Sequence, residues 1–169
     1  MEGEVNNNSK TILPHKHTKG EEIIVQVSKP MTEEKGMKLT THISIPGRFI
    51  VLLPQSSLRT ISKKITDKKE RDRLISVAQK RITDNTGFII RTAAEGQSEK
   101  FLIREIKILL NSWSKIKRYA KVKTAPSILW EDLPIYTKVI RDFANKGYDE
   151  IIADDPKIFK EVRRYINLF

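Results

Sequence analysis

Apolar and polar residues alternate early in the chain. Ile23, Val25 and Val27 alternate with Ile24, Gln26 and Ser28, and Leu39, Thr41, Ile43 and Ile45 alternate with Lys38, Thr40, His42 and Ser44. A period of two predicts two half-buried strands. The segment between them, Lys29 to Lys38, holds Pro30, Lys35 and Gly36 and reads as a loop. Pro46-Gly47 turns the chain into a third strand, Arg48 to Leu53, apolar on both faces and expected to be buried. A short strand over Thr60 to Ile65 precedes a helix opened by Asp67 and Glu70 as a capping pair. Leu74, Ile75, Ala78 and Ile82 recur along that helix at helical spacing. Gly87 and Gly96 then bracket a buried strand, Phe88-Ile89-Ile90, and an abrupt turn. The longest helix follows, from about Ser98 to Lys121, with Leu102, Ile106, Leu109, Trp113, Ile116 and Ala120 as its core stripe.

The pattern breaks at Thr124-Ala125-Pro126-Ser127. Beyond it, a helix with Tyr136, Val139, Ile140 and Phe143 on one face is expected to end at Gly147. A short buried strand over Tyr148 to Ala153 follows, and Asp154-Asp155-Pro156 opens a last helix with Ile158, Phe159, Val162 and Ile166 inward. Helix, strand, helix in that order reads as a small α/β piece. The whole is expected to be α+β, an antiparallel sheet packed on helices with a partial α/β unit at its C-terminal end.

Charge narrows the partners. The 169 residues carry a formal net charge of +11, a balance that points to a polyanion, either nucleic acid or an anionic surface. No apolar run reaches the roughly 18 residues of a spanning helix, so a membrane is not the expected partner and nucleic acid leads. There is no cysteine, which removes disulfides and thiolate metal sites and fits a reducing cytoplasm. His15 and His17 flank Lys16 without a third ligand nearby, so a solvated loop is the better reading. Asp154 and Asp155 invite a two-metal nuclease reading. A sequence-adjacent pair projects in different directions on an extended backbone, and Asp-Asp-Pro before a helix is an ordinary capping arrangement.

The chemistry concentrates where the central strand ends. Arg91 offers a planar fork of donors that fits a phosphate bidentately, and Thr92 adds a hydroxyl beside it. The turn and helix start that follow can add backbone N–H groups. The alternative for the same residues is an arginine that salt-bridges a neighbour at a strand end.

Four stretches resemble the ribonuclease E/G family of bacterial endoribonucleases. They are Glu22 to Val27; Lys35-Gly36 through Leu39 to Ser44 and on to Pro46-Gly47 and Val51 to Pro54; Gly87 to Ala93; and Asp149 to Ile152 with Asp154. The resemblance implies a layout of a disordered tail over 1–20, the last strands of an OB-type RNA-binding barrel over 21–45, a 5′-sensor domain over 46–125, and part of a ribonuclease H-like subdomain over 126–169. It implies that the partner is single-stranded RNA with a 5′ monophosphate, held by Arg91 and Thr92 with the backbones of Gly47 and Val51, and that Lys35 also touches RNA. It implies further that the catalytic domain lies outside these residues, with its magnesium-binding aspartates and zinc-linking cysteines, so no catalytic residue, metal or other cofactor is expected here. Self-association and a separate catalytic half are left open. The competing class is a basic, ribosome-associated protein that binds RNA backbone without reading its end.

Overall fold

The computed structural model describes residues 18–83, 85–143 and 149–168. Its centre is a four-stranded sheet in the order β3-β4-β6-β5, made of β3 (Ile45–Pro46), β4 (Ile50–Leu53), β5 (Arg59–Ile61) and β6 (Gly87–Ile90). β4 pairs antiparallel with β6, Ile50 opposite Ile90 and Leu53 opposite Gly87, and β3 extends the antiparallel run. β5 is parallel to β6, so the sheet is mixed. The strand expected over Thr60–Ile65 begins earlier and ends at Ile61, where Ser62 N–H closes onto the Ile90 carbonyl at 2.8 Å.

Two helices cover this sheet. α1 (Lys68–Gln79) packs beside β5, α2 (Glu99–Val122) packs beside β3 and β4, and the two helices touch each other. Side chains alternate across a strand, and Ile50, Leu52, Phe88 and Ile90 point into the core while Val51, Leu53 and Ile89 are half-buried. They meet Leu74 and Ala78 of α1 and the α2 stripe of Leu102, Ile106, Leu109, Trp113 and Ile116. Each fully buried side chain of this kind contributes about 1.5–3 kcal/mol. Gly87 is required by packing: a Cβ there would lie 2.3 Å from the Leu58 carbonyl oxygen. Gly96 supplies a φ of +71° before α2, a backbone conformation that a side chain disfavours.

The helix starts are capped. Asp67 accepts from the N–H groups of Lys69 and Glu70, both at 3.2 Å. Glu70 does not complete a reciprocal box; its carboxylate takes Arg73 at 2.7 Å and the Gly96 N–H at 2.9 Å, and these bonds outcompete the one back to the cap. The Arg73 hydrogen bond holds the Glu70 carboxyl below its usual range. Ser98 caps α2 through Lys100 N–H.

The flanks depart further from expectation. β1 (Gln26–Lys29) and β2 (Lys38–Thr40) form a separate antiparallel pair. Val25, Val27 and Leu39 are exposed rather than half-buried, because two strands alone bury little. α3 (Ile135–Phe143) was expected to bury Val139 and Phe143; both are exposed, and Thr137 and Arg141 are buried instead. α4 (Pro156–Ile166) buries Val162 but leaves Phe159 and Ile166 exposed. α3 and α4 pack on each other, and the Tyr136 hydroxyl donates to Glu161. The expected strand is absent from Asp149–Ala153, where Ile152 is 81% exposed and no neighbouring strand offers a ladder; Gly147 and Tyr148 lie outside the described residues. Asp155 does cap α4, accepting from Lys157 N–H at 2.6 Å and Ile158 N–H at 2.9 Å. Among the described residues no helix is long and apolar enough to cross a membrane.

Candidate functional site

The turn between β3 and β4 and the end of β6 meet at one corner. Gly47 N–H donates to the Ile50 carbonyl at 2.8 Å and closes the turn. Glu105 of α2, 2% exposed, reaches beneath it. Its carboxyl oxygens accept from the N–H groups of Arg48 (2.5 Å), Phe49 (2.7 Å) and Ile50 (3.1 Å). A Cβ on residue 47 would lie 2.5 Å from Glu105 Cδ and 2.7 Å from the Ile50 carbonyl oxygen, so only glycine fits. Burial pushes the Glu105 carboxyl up; the three backbone donors and the Arg91 charge oppose that push without cancelling it.

Arg91 leaves β6 in an extended conformation, its N–H donating to the Phe49 carbonyl at 2.7 Å. Its guanidinium folds back over the turn. Nη1 donates to the Gly47 carbonyl at 2.7 Å, and Nη2 lies 2.7 Å from Asp142 Oδ1. Both readings of Arg91 therefore bear on this corner: it forms an ion pair, and it keeps partial exposure and further N–H groups. Asp142 also takes Arg141, Nε at 3.3 Å and Nη2 at 3.1 Å. Burial alone would raise the Asp142 carboxyl, but hydrogen bonds from Arg141 and Arg91 together hold it below its usual range. Arg141 is tied in turn to the Pro46 carbonyl at 3.4 Å and to Asp132 at 3.6 Å.

Thr92 is exposed beside Arg91, and its Oγ1 shares a 2.8 Å hydrogen bond with Ser62 Oγ. The turn that carries Ser62 also carries Lys63 and Lys64, both exposed. Val51 lies in β4 between Pro46 and Ile89, half-buried. Lys35 lies apart, in the exposed loop joining β1 and β2, where its N–H and carbonyl close a turn with Thr32. The fold thus joins Arg91 with Gly47 and ties the Thr92 hydroxyl to Ser62, while Lys35 belongs to the separate hairpin.

Three partners of this corner escaped the sequence reading. Glu105 carried a signal: it falls on the buried stripe between Leu102 and Ile106, where a carboxylate needs a reason. Asp142 and Ser62 carried none. Among the described residues no group of three or more His, Asp or Glu could hold a metal ion. Asp155 has its carboxylate committed to the α4 cap, and no cysteine exists to bind zinc. Among the described residues, then, no donor set fits magnesium or zinc.

The fold and corner define an α+β protein in which the end of a central strand, beside a turn held by a buried carboxyl group, presents an arginine and a hydroxyl at the surface. The chain belongs to the Ribonuclease E/G family, whose profile matches residues 44–169. It is 33% identical over 150 residues to Ribonuclease E of Haemophilus influenzae, covering 88% of this chain and 16% of that protein. It is 36% identical over 147 residues to the Ribonuclease E/G-like protein of Pyropia yezoensis, covering 87% of this chain and 29% of that protein. With Ribonuclease G of Escherichia coli it shares 36% identity over 135 residues, covering 80% of this chain and 28% of that protein. The chain therefore spans less than a third of the length of these relatives.

Proposed function

We propose that this chain is the RNA-binding portion of a ribonuclease E/G-type endoribonuclease acting in RNA processing and decay, and that it recognises the 5′-monophosphate end of single-stranded RNA. The observation that carries this reading is the Arg91 guanidinium, anchored on the Gly47 carbonyl at 2.7 Å, with Thr92 the next residue along the chain. In this reading residues 46–125 are the 5′ sensor, 21–45 the end of an OB-type barrel and 126–169 part of a ribonuclease H-like subdomain. Arg91 supplies charged donors in a fixed plane, and Thr92 turns its hydroxyl from Ser62 to the phosphate. Gly47 keeps the turn low enough for the arginine to lie across it. Cutting belongs to the rest of the protein; end recognition there raises the effective concentration of the RNA body at the catalytic centre.

The test is a competition titration of one short RNA bearing a 5′ monophosphate or a 5′ hydroxyl. The phosphate should add about 1.5–3 kcal/mol of binding. Arg91→Ala should remove most of that difference, and Arg91→Lys should restore part, since lysine keeps the charge and loses the fork. Higher salt should weaken both RNAs together. Equal affinities for the two RNAs, with the chain folded, would leave only the reading of a basic backbone binder, to which Lys115, Lys117, Arg118, Lys121 and Lys123 at the end of α2 would contribute.

A further inference from the structure

We propose that Asp142 is a resident anion at the Arg91 corner, one that an incoming terminal phosphate must displace, so that the corner holds a phosphorylated end more weakly than Arg91 free of Asp142 would. The inference rests on Arg91 being the phosphate ligand. A carboxylate and a phosphate present the same pair of acceptor oxygens to a guanidinium. Asp142 Oδ1 already sits 2.7 Å from Arg91 Nη2.

The surrounding bonds make the exchange local. Arg91 keeps its Gly47 anchor when it releases Asp142. Asp142 keeps Arg141, whose Nη2 lies 3.1 Å from its Oδ2. Neither charge is orphaned by the exchange, so the large penalty of an unpaired buried ion does not arise. Arg141 is 8% exposed and braced by Pro46 and Asp132, so it stays in place to receive the carboxylate. Asp142 and Arg91 are each about a third exposed at the side chain, and water and ligand reach the pair. A singly charged ligand replaces one carboxylate charge with one of its own and gains little. A monophosphate carries close to two charges above its second pKa of about 6 and gains on the exchange. Asp142 thus lowers by the same factor the affinity of every anion that must displace it from Arg91.

The experiment uses one short RNA in three forms: 5′ monophosphate, 5′ methyl phosphate, which carries a single charge, and 5′ hydroxyl. Binding to the unaltered chain, Asp142→Asn and Asp142→Ser is measured at about pH 8, above the phosphate pKa. In the variants the monophosphate and methyl phosphate RNAs should each bind about tenfold tighter, so that their ratio holds while both move away from the hydroxyl RNA. The hydroxyl RNA should not change, which also reports a folded chain. Weaker or unchanged binding of the monophosphate RNA in a folded variant would show that Asp142 holds Arg91 for the ligand, and would overturn the proposal. Unfolding of both variants would make Asp142 a structural anchor and overturn it too. If neither the unaltered chain nor the variants separate phosphate from hydroxyl, the reading of Arg91 itself falls. If the unaltered chain separates them and the variants do not tighten, only the role of Asp142 falls.

Discussion

α2 and α3 are both amphipathic helices, and they treat their apolar stripes in opposite ways. Leu102 and Ile106 of α2 are each 1% exposed, while Val139 of α3 is 47% exposed and Arg141 takes the inward position. α2 lies on a sheet whose facing side chains are apolar, so its stripe has a second layer to meet. α3 packs on α4 and reaches the sheet region through polar ties, Arg141 to Pro46 and Asp142 to Arg91. Periodicity sets which residues share a helix face. What that face meets decides whether it is buried.

Truncating each stripe should separate the two regions most clearly. Leu102→Ala should lower the unfolding free energy in urea by about 2–5 kcal/mol through lost burial and a cavity. Val139→Ala should stay within about 0.5 kcal/mol. A similar cost at both sites would mean that α3 hides its apolar face after all.

A smaller effect concerns the two carboxylates that hold backbone amides, one in each region. Glu105→Gln loses one of the oxygens that serve Arg48, Phe49 and Ile50, and should cost about 1–3 kcal/mol. The cost depends on pH. The Glu105 carboxyl is raised in the fold above its ordinary 4.5, so its contribution is full below the unfolded value and is lost as pH rises through the folded one. Glutamine does not titrate, and the gap between the two chains should narrow as pH rises from the ordinary carboxyl value of 4.5 through the raised one. Denaturation curves at both ends check this, and a constant gap would refute it. Asp142 and Glu70, both lowered, tilt the other way: their stability is present above the unfolded value and fades as pH falls through the folded one. They are shared by both chains and cancel in the difference. The smallest effect is at the exposed counterpart. Asp155→Ala should cost about 1 kcal/mol, read as lost helicity at α4 by amide exchange, with α2 unchanged.

The parts legible in the sequence were those where one periodic signal ran long enough to fix both element and face. α2 and the Phe88–Ile90 strand are of that kind, and the caps at Asp67 and Asp155 declared themselves by residue type. The parallel pairing of β5 with β6 goes with the crossover over 62–86 that carries α1, and strand periodicity alone carries no direction. The inward face of α3 differs from the apolar spacing because Arg141, ion-paired to Asp142 and Asp132 and hydrogen-bonded to the Pro46 carbonyl, takes the inward position in a helix that packs on α4. At the corner, Arg91 and Thr92 stand out by chemistry, whereas their grouping with Gly47 and Val51 is what the family resemblance implies; of that grouping the Arg91 bond to the Gly47 carbonyl is present. Asp142 is 51 positions from Arg91 and carries no local mark.

Glu105 decides what kind of anion site this corner can be. A tight turn after a strand commonly offers its amides outward as a nest for a negative group. Here the turn is inverted. The amides of Arg48, Phe49 and Ile50 point inward at a carboxyl of the protein's own, and that of Gly47 bonds the Ile50 carbonyl. A negative ligand arriving from outside meets a turn whose amides from Gly47 to Ile50 are already engaged. Its recognition then falls to side chains, which can be exchanged, mutated or neutralised one at a time.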